Sequence, residues 1–141
     1  IRARTGWSPV SARERFAVVF PDGLNRAWAD LRSRDERAGA AARAGTDDVA
    51  FLRALVEHLV EAGIADPSRV YVAGASNGGA MATTMACGHP QAFAAAASMI
   101  MSLTKTMAEA CKPIAPVPTL WMLGTADPLV AYGGAMRYRV C

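Results

Sequence analysis

The sequence predicts an α/β fold, a parallel sheet with helices on both faces, within one domain. Three observations carry this reading. Short apolar runs of β type alternate along the chain with stretches of helical periodicity. A turn of small residues, Gly74-Ala75-Ser76-Asn77-Gly78-Gly79, joins one such run to a helical stretch. The 141 residues, 52% apolar and 19% charged, suffice for one packed core and are too few for two ordinary ones.

Taken in order, Arg13 to Arg15 closes a first helix, and Phe16-Ala17-Val18-Val19-Phe20 reads as a buried strand stopped by the turn signal Pro21-Asp22-Gly23. From Leu24 to Gly45 the chain is polar apart from the isolated Trp28, and loops of that length border sites. Asp47 or Asp48 can cap the next helix, which carries Leu52, Leu55, Val56 and Leu59 on one stripe and ends at Gly63. Asp66-Pro67-Ser68 turns the chain into a strand over 69–73. A helix follows from about Asn77 to Cys87, a third strand over 93–100 and a fourth over 119–123. Gly124-Thr125-Ala126-Asp127-Pro128 then lies at the carboxyl end of that last strand, the edge where open parallel sheets place their chemistry.

Composition excludes several function classes. The net charge of +3 comes mostly from arginine, but the arginines between 24 and 45 are mixed with Asp30, Asp35 and Glu36. That pattern reads as a solvated polar loop rather than an unmixed basic stripe for nucleic acid. No apolar run is long enough to span a bilayer, and Ile1-Arg2-Ala3-Arg4 lacks the apolar core of a secretory signal. Cys87, Cys111 and Cys141 have no metal-type spacing, so neither a metal nor a cofactor is expected. The cysteines read equally as free or buried thiols, or as a Cys87–Cys111 disulfide with Cys141 left over.

The chemistry concentrates at the strand–turn–helix around Ser76, the arrangement called a nucleophile elbow. A serine in such a strained turn lifts its hydroxyl above the sheet edge. Gly74 and Gly78, lacking Cβ, are expected to let strand and helix approach closely. The Asn77 N–H, at the helix start, can donate to a developing oxyanion, aided by the helix dipole. Asp127 follows a strand by a few residues and comes 51 positions after Ser76, in the serine-then-acid order of this kind of site. Its task would be to hold an imidazole in the right tautomer; read alone, it is equally a turn-forming Asp-Pro.

At these residues the chain resembles the polyhydroxybutyrate depolymerase and feruloyl esterase group of secreted α/β-hydrolases. The matching segments are 20–28, beginning Phe20-Pro21-Asp22-Gly23, then Asp47-Asp48-Val49-Ala50-Phe51, residues 70–82, and residues 116–127. The resemblance implies a partial α/β-hydrolase domain over 1–134, with an unmatched tail over 135–141. It implies a serine carboxylester hydrolase working through an acyl-enzyme. Ser76 would be the nucleophile, Asp127 the triad acid, and Asn77 and Trp28 the oxyanion and substrate-binding residues. The disulfide Cys87–Cys111 and an extracellular location are implied as well.

Family members also have a His-Gly-type loop, upstream of the segment where this chain begins, and a catalytic histidine well downstream of the acid. The histidines here, His58 and His89, both precede Asp127. His89 lies a dozen or so helical rises from Ser76, roughly 20 Å, beyond hydrogen-bond reach. The expected partner is a small-molecule or oligomeric ester, with soluble short esters favoured, and no nucleic acid or membrane. Uncovered sheet edges would favour pairing with a second copy. Two other readings share the fold: a non-catalytic binding module that keeps the site's shape, and a serine peptidase of prolyl oligopeptidase type, since Gly-x-Ser-Asn-Gly-Gly also occurs there. The depolymerase-type flanks argue against the peptidase.

Overall fold

The computed structural model describes residues 2–34 and 45–133. The expected tail over 135–141, with Cys141, lies outside the described residues, as does most of the expected long loop's second half. Helices α1 (Arg2–Thr5) and α2 (Trp7–Glu14) open the chain, and Arg15 closes α2 in the left-handed conformation. Helix α3 (Asp48–Glu61) begins at Asp47, whose carboxylate accepts the Ala50 N–H at 2.9 Å, so of the two expected caps Asp47 does the work. Gly63, at φ 70, turns the chain away from its end.

Strands β1 (Tyr71–Ala75), β2 (Ala95–Met99) and β3 (Thr119–Met122) pair in parallel in the order β1-β2-β3. β1 starts two residues later than the apolar run suggests. Arg69 belongs instead to a 3₁₀ turn held by the Asp66 carboxylate, which accepts from Ser68 N–H at 2.9 Å, Ser68 Oγ at 2.7 Å and Arg69 Nε at 2.8 Å. Helix α4 (Asn77–Gly88) crosses back over β1 and β2, and α5 (Lys105–Ala110) precedes β3.

Residues 79–86 of α4 are buried on every side, as expected of a helix built from small and apolar residues. Its threonines satisfy themselves locally, Thr83 Oγ1 donating to Gly79 O and Thr84 Oγ1 to Ala80 O. On one flank Met81, Met85 and Phe93 form a cluster with the α3 stripe residues Val49, Leu52 and Val56 and with Val70 and Val72; on the other, Ala80 packs with Met101 and Met107. Cys87, in the last turn of α4, is bonded to Cys111 just after α5, with Cα atoms 5.2 Å apart. The disulfide is therefore the correct one of the two cysteine readings.

The fold class is the one read from the sequence, with one correction. Residues 16–20 form no strand: among the described residues nothing pairs with them, Phe16 and Val19 are exposed, and the Phe16 ring packs edge-on against Trp7 at 6.1 Å. An apolar run becomes a strand only when a neighbour takes its N–H and C=O groups. The face carrying Tyr71, Ala73, Ala75, Leu120 and Met122 is exposed, Tyr71 by 66%, because the helix packed on the sheet, α4, lies on the side of Val72, Ala96 and Ser98.

Candidate active site

Ser76 sits between β1 and α4 at φ 53, ψ −122, a conformation that costs a non-glycine residue about 1–3 kcal/mol and persists only when its surroundings enforce it. Both its peptide groups are fixed. The N–H donates to Met99 O of β2 at 2.9 Å, and the C=O accepts the first α-helical bond, from Ala80 N–H at 3.0 Å. The residue itself is exposed at the turn. Two glycines permit the tight crossing. A Cβ on Gly74 would overlap the Gly78 carbonyl, and one on Gly79 would stand 2.8 Å from Ser98 Oγ and 3.1 Å from Met99 O. Gly78, by contrast, faces open space, so the pair that lets strand and helix touch is Gly74 and Gly79 rather than Gly74 and Gly78.

Asn77 presents its N–H at the free first turn of α4, where no helical carbonyl precedes it. Its side chain is committed elsewhere. Oδ1 accepts Trp28 N–H at 2.7 Å, and Nδ2 donates to Trp28 O at 3.0 Å and to Asp30 Oδ2 at 2.6 Å. Asp30 is only 5% exposed and is clamped by Arg32, whose Nε reaches Oδ1 at 2.8 Å and Nη2 reaches Oδ2 at 2.6 Å. Asp48, also buried, accepts Ala29 N–H at 2.7 Å, and Thr84 Oγ1 accepts Leu31 N–H at 3.0 Å. Segment 28–32 is thereby stitched onto α3 and α4. This corrects the reading of Asp30 and Arg32 as solvated loop charges, since both are drawn into the fold by the residue following the serine. The Trp28 indole stacks on Phe51 at 6.5 Å and packs against the Met81–Met85–Phe93 cluster. Trp28 thus reaches the site through its backbone, with its ring toward the core.

Asp127 lies beyond the end of β3, and since all three strands run parallel it shares the carboxyl edge with Ser76, two strands over. Its Oδ1 accepts Leu129 N–H at 2.8 Å and Val130 N–H at 2.9 Å. The Val130 and Leu129 N–H groups hold its carboxyl below the usual carboxylate range, against a smaller opposing effect of burial. The turn-forming and acid readings are therefore compatible: one oxygen closes the turn, and Oδ2 takes no hydrogen bond among the described residues.

His58 is exposed in the last turn of α3, and His89 caps the far end of α4, so the structure brings neither to Ser76. Burial, and after it the nearby Arg53 charge, lowers the His89 pKa, with Asp47 opposing. Among the described residues no cluster of His, Cys, Asp and Glu could hold a metal, and no helix is long and apolar enough to cross a membrane. Sequence reasoning missed Asp30, Asp48, Gly79 and the neighbours Met99 and Ile100. The Trp28-x-Asp30 spacing beside the only aromatic of the loop was the signal available for Asp30.

A parallel sheet crossed by α4, with a sharp strand-to-helix turn at Ser76, is the architecture of the α/β-hydrolase fold. The chain belongs to the prolyl oligopeptidase family, whose model matches residues 17–116. It is 38% identical over 119 residues to "Putative esterase NocK" of Nocardia uniformis subsp. tsuyamanensis, covering 84% of this chain and 33% of that protein. It is 37% identical over 92 residues to feruloyl esterase B of Piromyces equi, covering 64% and 17%. With poly(3-hydroxyalkanoate) depolymerase C of Paucimonas lemoignei the identity is 32% over 93 residues, covering 66% and 22%. The chain thus spans a third or less of the length of these relatives. No solved structure matches it.

Proposed function

We propose that this chain carries the nucleophile and acid of a serine carboxylester hydrolase. The observation that carries the reading is Ser76 itself: an exposed serine on a strained turn, with Asn77 opening the helix that follows it. Ser76 Oγ attacks the ester carbonyl while Asn77 N–H receives the developing oxyanion. The alcohol departs as the acyl–Ser76 ester forms, and water then releases the acid. Asp127, through Oδ2, orients an imidazole that takes the Ser76 proton and stabilises the imidazolium so formed. Segment 28–32, Trp28 included, holds Asn77 in place. Substrates are carboxylic esters, as the names of the esterase relatives suggest, and short soluble ones are the proposed class.

Neither His58 nor His89 is placed to be that base, so the 141-residue chain is a slow catalyst. Loss of a triad histidine leaves roughly a thousandfold acceleration over water. The Cys87–Cys111 bond supports an oxidising, extracellular location.

A second reading, a serine peptidase built on the same residues, is favoured by the family match itself. Hydrolysis of p-nitrophenyl butyrate and of a matched p-nitroanilide, each compared with Ser76→Ala, tests both. Ester turnover above that of Ser76→Ala, without anilide turnover, is the expected result. Anilide turnover would favour the peptidase. No difference from Ser76→Ala on either substrate, with ligand binding retained, would make the chain a binding module and end the enzyme reading.

A further inference from the structure

The chain turns sharply at the carboxyl end of β2. Met99 is the last strand residue, and Met101 is already buried against Ala80 and Met107. Ile100 makes the corner between them at φ 49. A β-branched residue at positive φ is a true outlier, because its Cβ crowds its own backbone; glycine adopts the same corner freely and asparagine with little strain. Both sides of the corner are pinned. Ile100 N–H donates to Met122 O of β3 at 2.8 Å, and Met101 O accepts from the buried Ser98 Oγ at 3.1 Å. The strained side chain does not serve the core, since Ile100 is 48% exposed.

Its position suggests what it does serve. Ala75 pairs with Met99, so one step further the register sets Ile100 beside Ser76. The Ser76 N–H bond to Met99 O holds the two corners together on adjacent strands, about 5 Å apart. On the other side Ile100 is tied to the end of β3, whose continuation carries Asp127 and the exposed Leu129; Leu103, three residues past the corner, is exposed as well. The geometry points to Ile100 as a specificity-determining residue: an apolar contact, between the nucleophile's strand and the acid's, for the aliphatic chain of the ester. This rests on the esterase reading above.

The test uses the 141-residue chain with Ile100→Gly and Ile100→Asn, two residues that accept positive φ, and Ser76→Ala as control. Two ester series are compared. Varying the acyl chain of p-nitrophenyl esters from two to six carbons, and the alkyl chain of thioacetates over the same range, separates the two sides of the scissile bond. In the wild type, Ser76-dependent kcat/KM rises with chain length in one of the series. Both variants reduce that six-to-two-carbon ratio about tenfold, the effect of losing contact with a few methylenes. Their thermal midpoints do not fall. A ratio unchanged in both series, with Ser76-dependent turnover intact, overturns the assignment of Ile100 alone. A midpoint several degrees lower in both variants also overturns it, since the side chain would then serve folding. A wild-type rate no higher than that of Ser76→Ala overturns the esterase reading and this inference with it.

Discussion

The Asn77 side-chain amide and the Trp28 peptide form a closed pair across 49 residues, Oδ1 receiving the Trp28 N–H at 2.7 Å and Nδ2 reaching the Trp28 carbonyl at 3.0 Å. The residue whose N–H adjoins the nucleophile is thereby fastened to a distant loop by both ends of one functional group. A rotation of Asn77 would break two hydrogen bonds at once, and a third to Asp30.

This arrangement makes Asn77 and Asp30 structural keystones of the site. Asp30→Ala removes the buried carboxylate that accepts from Asn77 Nδ2 and from Arg32, and is expected to cost about 2 kcal/mol or more. Asn77→Ala strands the Trp28 peptide and should cost about 2 kcal/mol. Urea unfolding followed by tryptophan fluorescence measures both. Losses under 0.5 kcal/mol, the range of ordinary surface changes, would show that segment 28–32 is held by other contacts.

Two glycines flanking the turn, Gly74 and Gly78, should respond in opposite ways. Gly74→Ala drives a methyl into the Gly78 carbonyl, so strand and helix must separate, and stability should fall by 3 kcal/mol or more, by roughly the scale of severe overpacking. Gly78→Ala meets nothing and should be neutral or stabilising by up to about 1 kcal/mol, from helix propensity. Comparable losses in both variants would mean that the crossing is looser than described.

The Cys87–Cys111 bond closes a loop with a sequence separation of 24 and should contribute about 3 kcal/mol through the unfolded chain. Dithiothreitol, or a Cys87→Ala/Cys111→Ala double variant, should lower the urea midpoint accordingly. Thiol titration of the native protein should find Cys87 and Cys111 unreactive until reductant is added.

Acid should reach two turns late. Ser68, by its hydroxyl and its N–H, and then Arg69, hold the Asp66 carboxyl down to about 2, and the Val130 and Leu129 N–H groups depress Asp127 in the same direction. A folded pKa below the unfolded one means stability present above the ordinary carboxylate value, about 3.9, and lost as pH falls through the folded value. Carboxyl carbon shifts read by NMR between pH 5 and 2 should show both groups titrating below that value. An ordinary midpoint for Asp127 would mean that its turn hydrogen bonds do not form in solution.

For the base, His58→Ala and His89→Ala should each leave the slow ester rate within about twofold, because neither reaches Ser76. A tenfold loss in either variant would locate a base that the fold, as described, does not bring to the serine.

Local signals carried much of this protein. Small residues around Ser76, helical periodicity over 48–61 and the Asp127-Pro128 turn are all properties of neighbours in sequence, and sterics and hydrogen bonding act on neighbours directly. The sequence therefore determined the strand–turn–helix order, a cap at Asp47 or Asp48, and the placement of serine and acid each just after a strand. Tertiary structure decided whatever depends on a distant partner. The apolar run at 16–20 has the composition of a strand, but among the described residues no neighbouring ladder takes it up. Gly79 rather than Gly78 is the contact glycine because β2, far along the chain, brings Ser98 and Met99 against it. Asp30 looks like one more charge in a polar loop until Asn77 and Arg32 close around it. Ile100 looks like an ordinary strand residue until the turn beneath α4 forces its backbone to positive φ beside Ser76. Burial and strain arise only when segments remote in the chain converge, and composition or periodicity cannot register that.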